Sequence, residues 1–373
     1  RRMFAAGAAR AGGAGMPLSP SSVLPASATG PSVTTARATA PSTAAKAAAL
    51  PAAGNPNGHA FVPVAARAVN TSHPTRVVGS GTPASCTSQA VVAAVAKGGI
   101  ITFNCGSAPV TIVLTATAKV RNTSHRVVLD GGGKVTLSGG GARRILYQNT
   151  CDPAQVFTTS HCENQAYPQL VVQNLTFADG NAAANNFDGG SGGAIYAHGG
   201  RIKVVNSTFI DNRCYSFGPD LGGAAIRALS QYQGKPVFIV HSTFHGGVCA
   251  NGGALSSIGV SWAVLNSVIT DNKAIGWGAN PAASGTPGGG SGGAIYGDGD
   301  TYTVRVAGTR IANNHAREGA GAIFFVSDDN TGTLRIQQST LHDNPSGEFH
   351  TGGYPGIFFH SSGHPIVTGS TIN

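Results

Sequence analysis

Residues 206–226 read Asn206-Ser207-Thr208-Phe209-Ile210-Asp211-Asn212, a nine-residue spacer, and then Gly222-Gly223-Ala224-Ala225-Ile226. Both ends of this stretch recur. The first returns as Asn174-Leu175-Thr176-Phe177, His241-Ser242-Thr243-Phe244, Asn266-Ser267-Val268-Ile269, Gly308-Thr309-Arg310-Ile311, Gln338-Ser339-Thr340-Leu341 and Gly369-Ser370-Thr371-Ile372, at a mean spacing of about 32 residues. The second returns as Gly192-Gly193-Ala194-Ile195-Tyr196, Gly252-Gly253-Ala254-Leu255 and Gly292-Gly293-Ala294-Ile295-Tyr296, with weaker copies at Ala320-Gly321-Ala322-Ile323-Phe324 and Pro355-Gly356-Ile357-Phe358. Two short motifs alternating in phase at this period mark a repeat architecture.

One such unit has strands too short to bury an apolar side alone, whereas stacked units bury a continuous core. Strands of successive units then lie about 4.8 Å apart in parallel sheets, and equivalent residues form columns. The expected fold is all-β, a right-handed parallel β-helix (a solenoid). Phe177, Phe209, Phe244, Ile269, Ile311, Leu341 and Ile372 would form one internal column, and Ile195, Ala225, Leu255, Ile295, Ile323 and Ile357 another. The outward neighbours of the second column would be Tyr196, Ile226, Ser256, Tyr296, Phe324 and Phe358.

The cysteines test that register. Cys214 and Cys249 each lie five residues after the phenylalanine of their motif, so stacking brings them together within disulfide range. Cys86 and Cys105 are placed to staple an N-terminal cap, and Cys151 and Cys162 to close one loop. None has the CxxC spacing of a zinc site, and disulfides imply an oxidising compartment.

Residues 1–78 are rich in Ala, Pro, Ser, Thr and Gly, with Phe4 and Phe61 as the only aromatics, and are expected to be a disordered tail or linker. The β-helix is expected over 79–373, with regular repeats over 170–373. A short capping helix is expected over about 88–97, opened by Thr87 or Ser88 and stopped by Gly98-Gly99. A matching C-terminal cap is missing, as is a clear signal peptide, so the chain reads as a piece of a longer protein. No apolar run is long enough for a transmembrane helix.

The net charge of +9 is unevenly distributed: eleven Lys and Arg precede the first acidic residue, Asp130, and from Asp130 onward thirteen basic residues face fifteen acidic ones. Basicity therefore belongs to the first third of the chain and not to the repeats, which argues against nucleic-acid binding.

The alternation of Gly-Gly-Ala-aliphatic with Phe209-Ile210-Asp211-Asn212, and with its variants Ile269-Thr270-Asp271-Asn272, Ile311-Ala312-Asn313-Asn314 and Leu341-His342-Asp343-Asn344, resembles the repeats of chlamydial polymorphic outer-membrane proteins. These lie within the wider pectate-lyase-like β-helix group. The resemblance covers about 170–373 and implies an adhesin-like surface protein. Arg201-Ile202-Lys203 and Asp328-Asp329 resemble elements of polygalacturonases, although that family's Gly-His-Gly and Asn-Thr-Asp elements are absent and the order of these two is reversed.

Spacer lengths vary at one corner of the repeat, so the insertions should wall a groove along one edge. The longest, Lys273 to Ser291, carries Trp277. Tyr196, Tyr296, Phe324, Phe358 and Trp277 are candidate sugar-binding rings, since aromatic faces pack on sugar rings. Arg227, Asp298 and Asp300 are the candidate catalytic residues of an enzyme in the same groove.

The expected function is binding of a polysaccharide or cell-surface glycan by a secreted or surface-exposed protein. The alternative is a polysaccharide lyase or glycoside hydrolase. No metal or cofactor is expected, apart from calcium in the case of a lyase. A cation converging with two or three carboxylates would favour the enzyme, and a groove of aromatics and amides would favour binding.

Overall fold

A computed structural model describes residues 50–183, 190–278 and 287–373; the tail over 1–49 and the middle of the Trp277 insertion lie outside the described residues. The described chain is mostly β, in parallel sheets, with one α-helix, Ser88–Lys97. That helix starts where the Thr87 side chain accepts from the Ala90 amide, and ends at Gly98, whose φ of 67° suits glycine.

Each repeat contributes strands to the same sheets. Arg201–Val205 and Thr208–Ile210 join the largest sheet, and Ile226–Leu229 the second. Every pairing between repeats is parallel, so Phe209 stands beside Phe177 and Phe244, and the column continues through Ile269, Ile311, Leu341 and Ile372. The three phenylalanine rings stack inside the core at centroid distances of 4.8 and 4.7 Å. This is the column expected from the first motif.

Between the two strands of each repeat the chain turns through a left-handed residue at one fixed position. Asn174, Asn206, His241, Asn266, Gly308, Gln338 and Gly369 occupy it, with φ between 45° and 60°. Asparagine tolerates this conformation better than most residues because its side chain bonds locally. The next residue hides a hydroxyl that accepts from the preceding repeat: Ser207 N–H to Ser242 Oγ, Ser242 N–H to Ser267 Oγ, and Ser267 N–H to Thr309 Oγ1. A second ladder uses the asparagine that ends the motif, as where Asn272 and Asn314 each donate to the Oδ1 of the next, Asn314 and Asn344. Buried turns thus pair their polar groups with one another.

The second motif differs from expectation in one repeat. Ile226, not Ala225, pairs with Ile195 and Leu255, so Ile226 is the inward residue and Arg227 stands outward beside Tyr196 and Ser256. The cause is that Ala224 stands where the other copies have their second glycine, so Gly223-Ala224-Ala225-Ile226 matches Gly192-Gly193-Ala194-Ile195. A one-residue slip exchanges the faces of a strand, and the aliphatic residue takes the core.

All three disulfides join the expected partners, Cys86–Cys105, Cys151–Cys162 and Cys214–Cys249, with Cα separations of 5.6, 5.0 and 4.8 Å. The last links adjacent repeats.

Residues 50–78, expected to belong to a disordered tail, instead form a strap ending in the strand Arg76–Val78. Asn266 clasps Ala60 from both sides: its Oδ1 accepts from the Ala60 amide at 2.7 Å and its Nδ2 donates to the Ala60 carbonyl at 2.9 Å. Ala60 and Ala66 bury against Val205, Val240 and Leu265 on the outside of the large sheet. A Cβ on Gly58 would meet the backbone of Gly308 and Asn266, so only glycine permits this approach. Small residues and main-chain hydrogen bonds, not large apolar side chains, offset the ordering entropy here.

Candidate functional site

The strands Ile195–His198, Ile226–Leu229, Leu255–Ile258 and Ile295–Asp298 end side by side. Their last residues, His198, Leu229, Ile258 and Asp298, form a row. Over this row lies a cleft of about 520 Å³. Arg227 lies at its base, Asp220 and Glu163 reach it from loops, and Asp328 comes from the turn after Ile323–Val326.

Arg227 is 4 % exposed and donates through Nη1 to Ser256 Oγ at 2.6 Å. The small Ser256, its neighbour in the column, leaves room for the guanidinium. Burial lowers the Arg227 pKa, opposed by Tyr296, Tyr196, Asp220 and Asp298. An arginine remains charged in proteins, so it supplies a fixed positive charge beneath the carboxylates.

Asp298 is half-buried. Loss of hydration raises its pKa, and the charges of Asp328 and Asp220 add to the effect; hydrogen bonds from Tyr296 Oη to Oδ2 (3.1 Å) and from the Gly299 amide to Oδ1 (2.9 Å) act against it. Asp220 and Asp328 are exposed. One carboxyl therefore holds its proton more tightly than a free aspartate does, while two others stand nearby in solvent. At the other end of the row His198 Nε2 lies 3.6 Å from Glu163 Oε1, and burial lowers the His198 pKa against the pull of that carboxylate.

Of the three catalytic candidates, the cleft therefore joins Arg227 and Asp298. Asp300 is left out: it is exposed on the following turn, where its carbonyl accepts from Ser327 Oγ. Asp328, singled out in the sequence only through its likeness to a polygalacturonase element, joins them here, whereas Asp220, Glu163 and His198 were not among the candidates. Asp220 and Glu163 sit on loops outside the repeat, where no periodicity announces them. His198 was recognisable, because it ends the strand equivalent to that of Asp298.

The candidate sugar-binding rings are placed differently from an open platform. Tyr196 and Tyr296 are each 5 % exposed. Tyr147 stacks on Tyr196, and Arg144 lies over both rings. Tyr296 stacks on Phe324 at 4.9 Å and Phe324 on Phe358 at 5.1 Å, with Phe349 edge-on to both phenylalanines. These rings pack on one another beneath loops, and only Trp277, 44 % exposed and beneath the Arg317 guanidinium, faces solvent broadly. Trp277 is not in the wall of the cleft.

A second hollow of about 670 Å³ lies on the other side of the loop closed by Cys151–Cys162. Phe157, Tyr167 and Tyr232 line it with His125, Asn164 and Gln165, and Tyr167 packs on His125 at 4.3 Å. The same loop supplies Glu163 to the cleft and Asn164 to this hollow, and Asn164 Oδ1 fixes it by accepting from the Gln233 amide. Sequence reading passed over these rings because they belong to no repeat.

Among the described residues, one trio of ligand atoms comes within metal-binding range, on Cys151, Glu163 and His198. Cys151 is bonded to Cys162 and offers no thiolate, which leaves two donors where zinc sites use three or four. No helix is long and apolar enough to cross a membrane. No protein-family model matches this chain, and neither the curated proteins nor the solved structures contain a significant match to it.

Proposed function

We propose that this protein is an extracellular right-handed parallel β-helix that hydrolyses a glycan in the cleft over Arg227 and Asp298. The fold reading is supported by short strands that pair in parallel, in register, from one repeat to the next. Three disulfides are compatible with an oxidising compartment.

One observation carries the hydrolase reading: Asp298, with its raised pKa, shares a cleft with the solvent-exposed Asp220 and Asp328. Glycoside hydrolysis takes one carboxyl to protonate the leaving oxygen and a second, ionised, to activate water or attack the sugar. Asp298 suits the first role and Asp328 or Asp220 the second. Elimination fits less well. A lyase base must reach the sugar, and Arg227, the one Lys or Arg among the described residues of the cleft lining, is buried and tied to Ser256.

Glycan binding without turnover is the second reading. The hollow of Phe157, Tyr167 and Tyr232 favours it, since exposed rings beside amides suit sugar faces and hydroxyls. The test is to incubate the purified protein with polyuronides and neutral glycans, with and without calcium. Reducing ends are followed together with the ultraviolet absorbance of unsaturated uronates. Reducing ends alone support hydrolysis, absorbance supports elimination, and retention on a glycan column with neither supports binding.

A further inference from the structure

The strap covers part of the large sheet and leaves a hollow of about 450 Å³ against the strand Arg201–Val205. Four cations line it: Arg67 from the strap, and Arg126, Arg201 and Lys203 from the sheet. No acidic residue is in the lining. The register explains the grouping. Arg126 pairs with Gln169 and Gln169 with Arg201, so two guanidiniums flank one amide on neighbouring strands. Lys203 lies two residues beyond Arg201 on the same face, and its Nζ donates to the Ala65 and Arg67 carbonyls at 3.1 and 2.6 Å.

These charges are not neutralised from within. Among the described residues, Arg126 and Arg201 have no ion pair or side-chain hydrogen bond, and burial with the charges of Arg126 and Arg201 lowers the Lys203 pKa. The acidic residue on this face, Asp130, is engaged elsewhere, by Thr71, Gln173, Asn174 and the Gly132 amide. Arginine forks flanking an amide donor suit planar or tetrahedral oxyanions.

We propose that this hollow is a binding site for sugar units that carry carboxylate or sulfate groups. Its volume falls in the range of small-ligand sites, and the half-buried Phe238 offers an apolar wall. Nucleic acid fits poorly: single strands are held by rows of stacking rings along an extended basic groove, whereas this hollow has one ring. The site lies apart from the Asp298 cleft and does not depend on catalysis there.

The test is calorimetric titration of the full chain with trigalacturonate, a sulfated heparin disaccharide, neutral maltotriose and a short single-stranded DNA. The proposal expects salt-sensitive binding of one or both acidic sugars and none of maltotriose. Binding of trigalacturonate alone would assign carboxylates, and of the heparin disaccharide alone sulfates. Arg126→Ala with Arg201→Ala should weaken binding roughly tenfold or more, as should Arg67→Ala, which leaves the sheet intact. The proposal is overturned if neither acidic sugar binds, if DNA binds more tightly than both, or if folded variants, checked by circular dichroism, bind as wild type does.

Discussion

The two faces of the strands Ile195–His198, Ile226–Leu229, Leu255–Ile258 and Ile295–Asp298 share a backbone and a register, yet differ in kind. Inward stand Ile195, Ile226, Leu255, Ile295 and, on the next strands, Ile323 and Ile357, all fully buried. Outward stand Tyr196, Arg227, Ser256, Tyr296, Phe324 and Phe358. The inner column repeats because each of its members does the same work, filling the space between sheets. The outer column departs from the repeat at Arg227 and Ser256, and the buried cation of the cleft sits at that departure. Repetition marks what holds this chain together, and interruption marks where chemistry can be placed.

The largest effect should come from breaking the inner columns. Phe209→Ala removes the middle ring of the Phe177–Phe209–Phe244 stack and should destabilise the protein by about 3–5 kcal/mol, read from chemical denaturation. A cost near that of a surface substitution would show that the stack is not a structural element.

The outer face should respond oppositely to Asp298→Asn. Loss of the acid should lower hydrolysis by roughly 10²–10⁴-fold without loss of stability. The sign follows from the raised pKa. The folded state holds the Asp298 proton more tightly than the unfolded chain does, so ionisation disfavours folding as pH rises above the unfolded value of 3.8. The variant should therefore melt at or above wild type at pH 7, and this difference should close on acidification below that value. The rate should fall as pH rises through the Asp298 pKa, because the acid form is the active one. A melting difference that grows on acidification would contradict the assignment.

How much of this was legible depended on whether a residue belonged to the repeat. The Phe209 column and the Cys214–Cys249 bond follow from spacing alone, because stacking at a fixed period leaves equivalent residues nowhere else to go. The Arg227 position was misread by one residue, since Ala225 looks as acceptable in a core as Ile226 until the neighbouring isoleucines impose the register. The strap was missed for a different reason. Its contacts are the clasp on Ala60, the close approach at Gly58 and burial of alanines, none of which gives a composition-based signal of order. Asp220 and Glu163 reach the cleft from irregular loops, whose course depends on the tertiary structure.

The strap supplies a smaller effect. Asn266→Ala removes both bonds to Ala60 and should cost about 1–3 kcal/mol, with hydrogen exchange faster around residues 55–66 than in the sheets. Uniformly faster exchange would mean that Asn266 serves the sheet corner rather than the strap. The smallest effect is expected at Trp277, which is exposed. Trp277→Ala should leave stability within about 0.5 kcal/mol and hydrolysis unchanged, in line with its absence from the cleft wall. A marked loss of glycan retention by this variant would return Trp277 to a ligand-binding surface.

The most direct test of the proposed site compares reducing-end release by wild type and Asp298→Asn on the same glycans, with thermal melts of both at pH 7. Release by wild type, its loss in the variant and a melting temperature that does not fall are the predicted result. Equal release by both proteins, or release by neither, would contradict it.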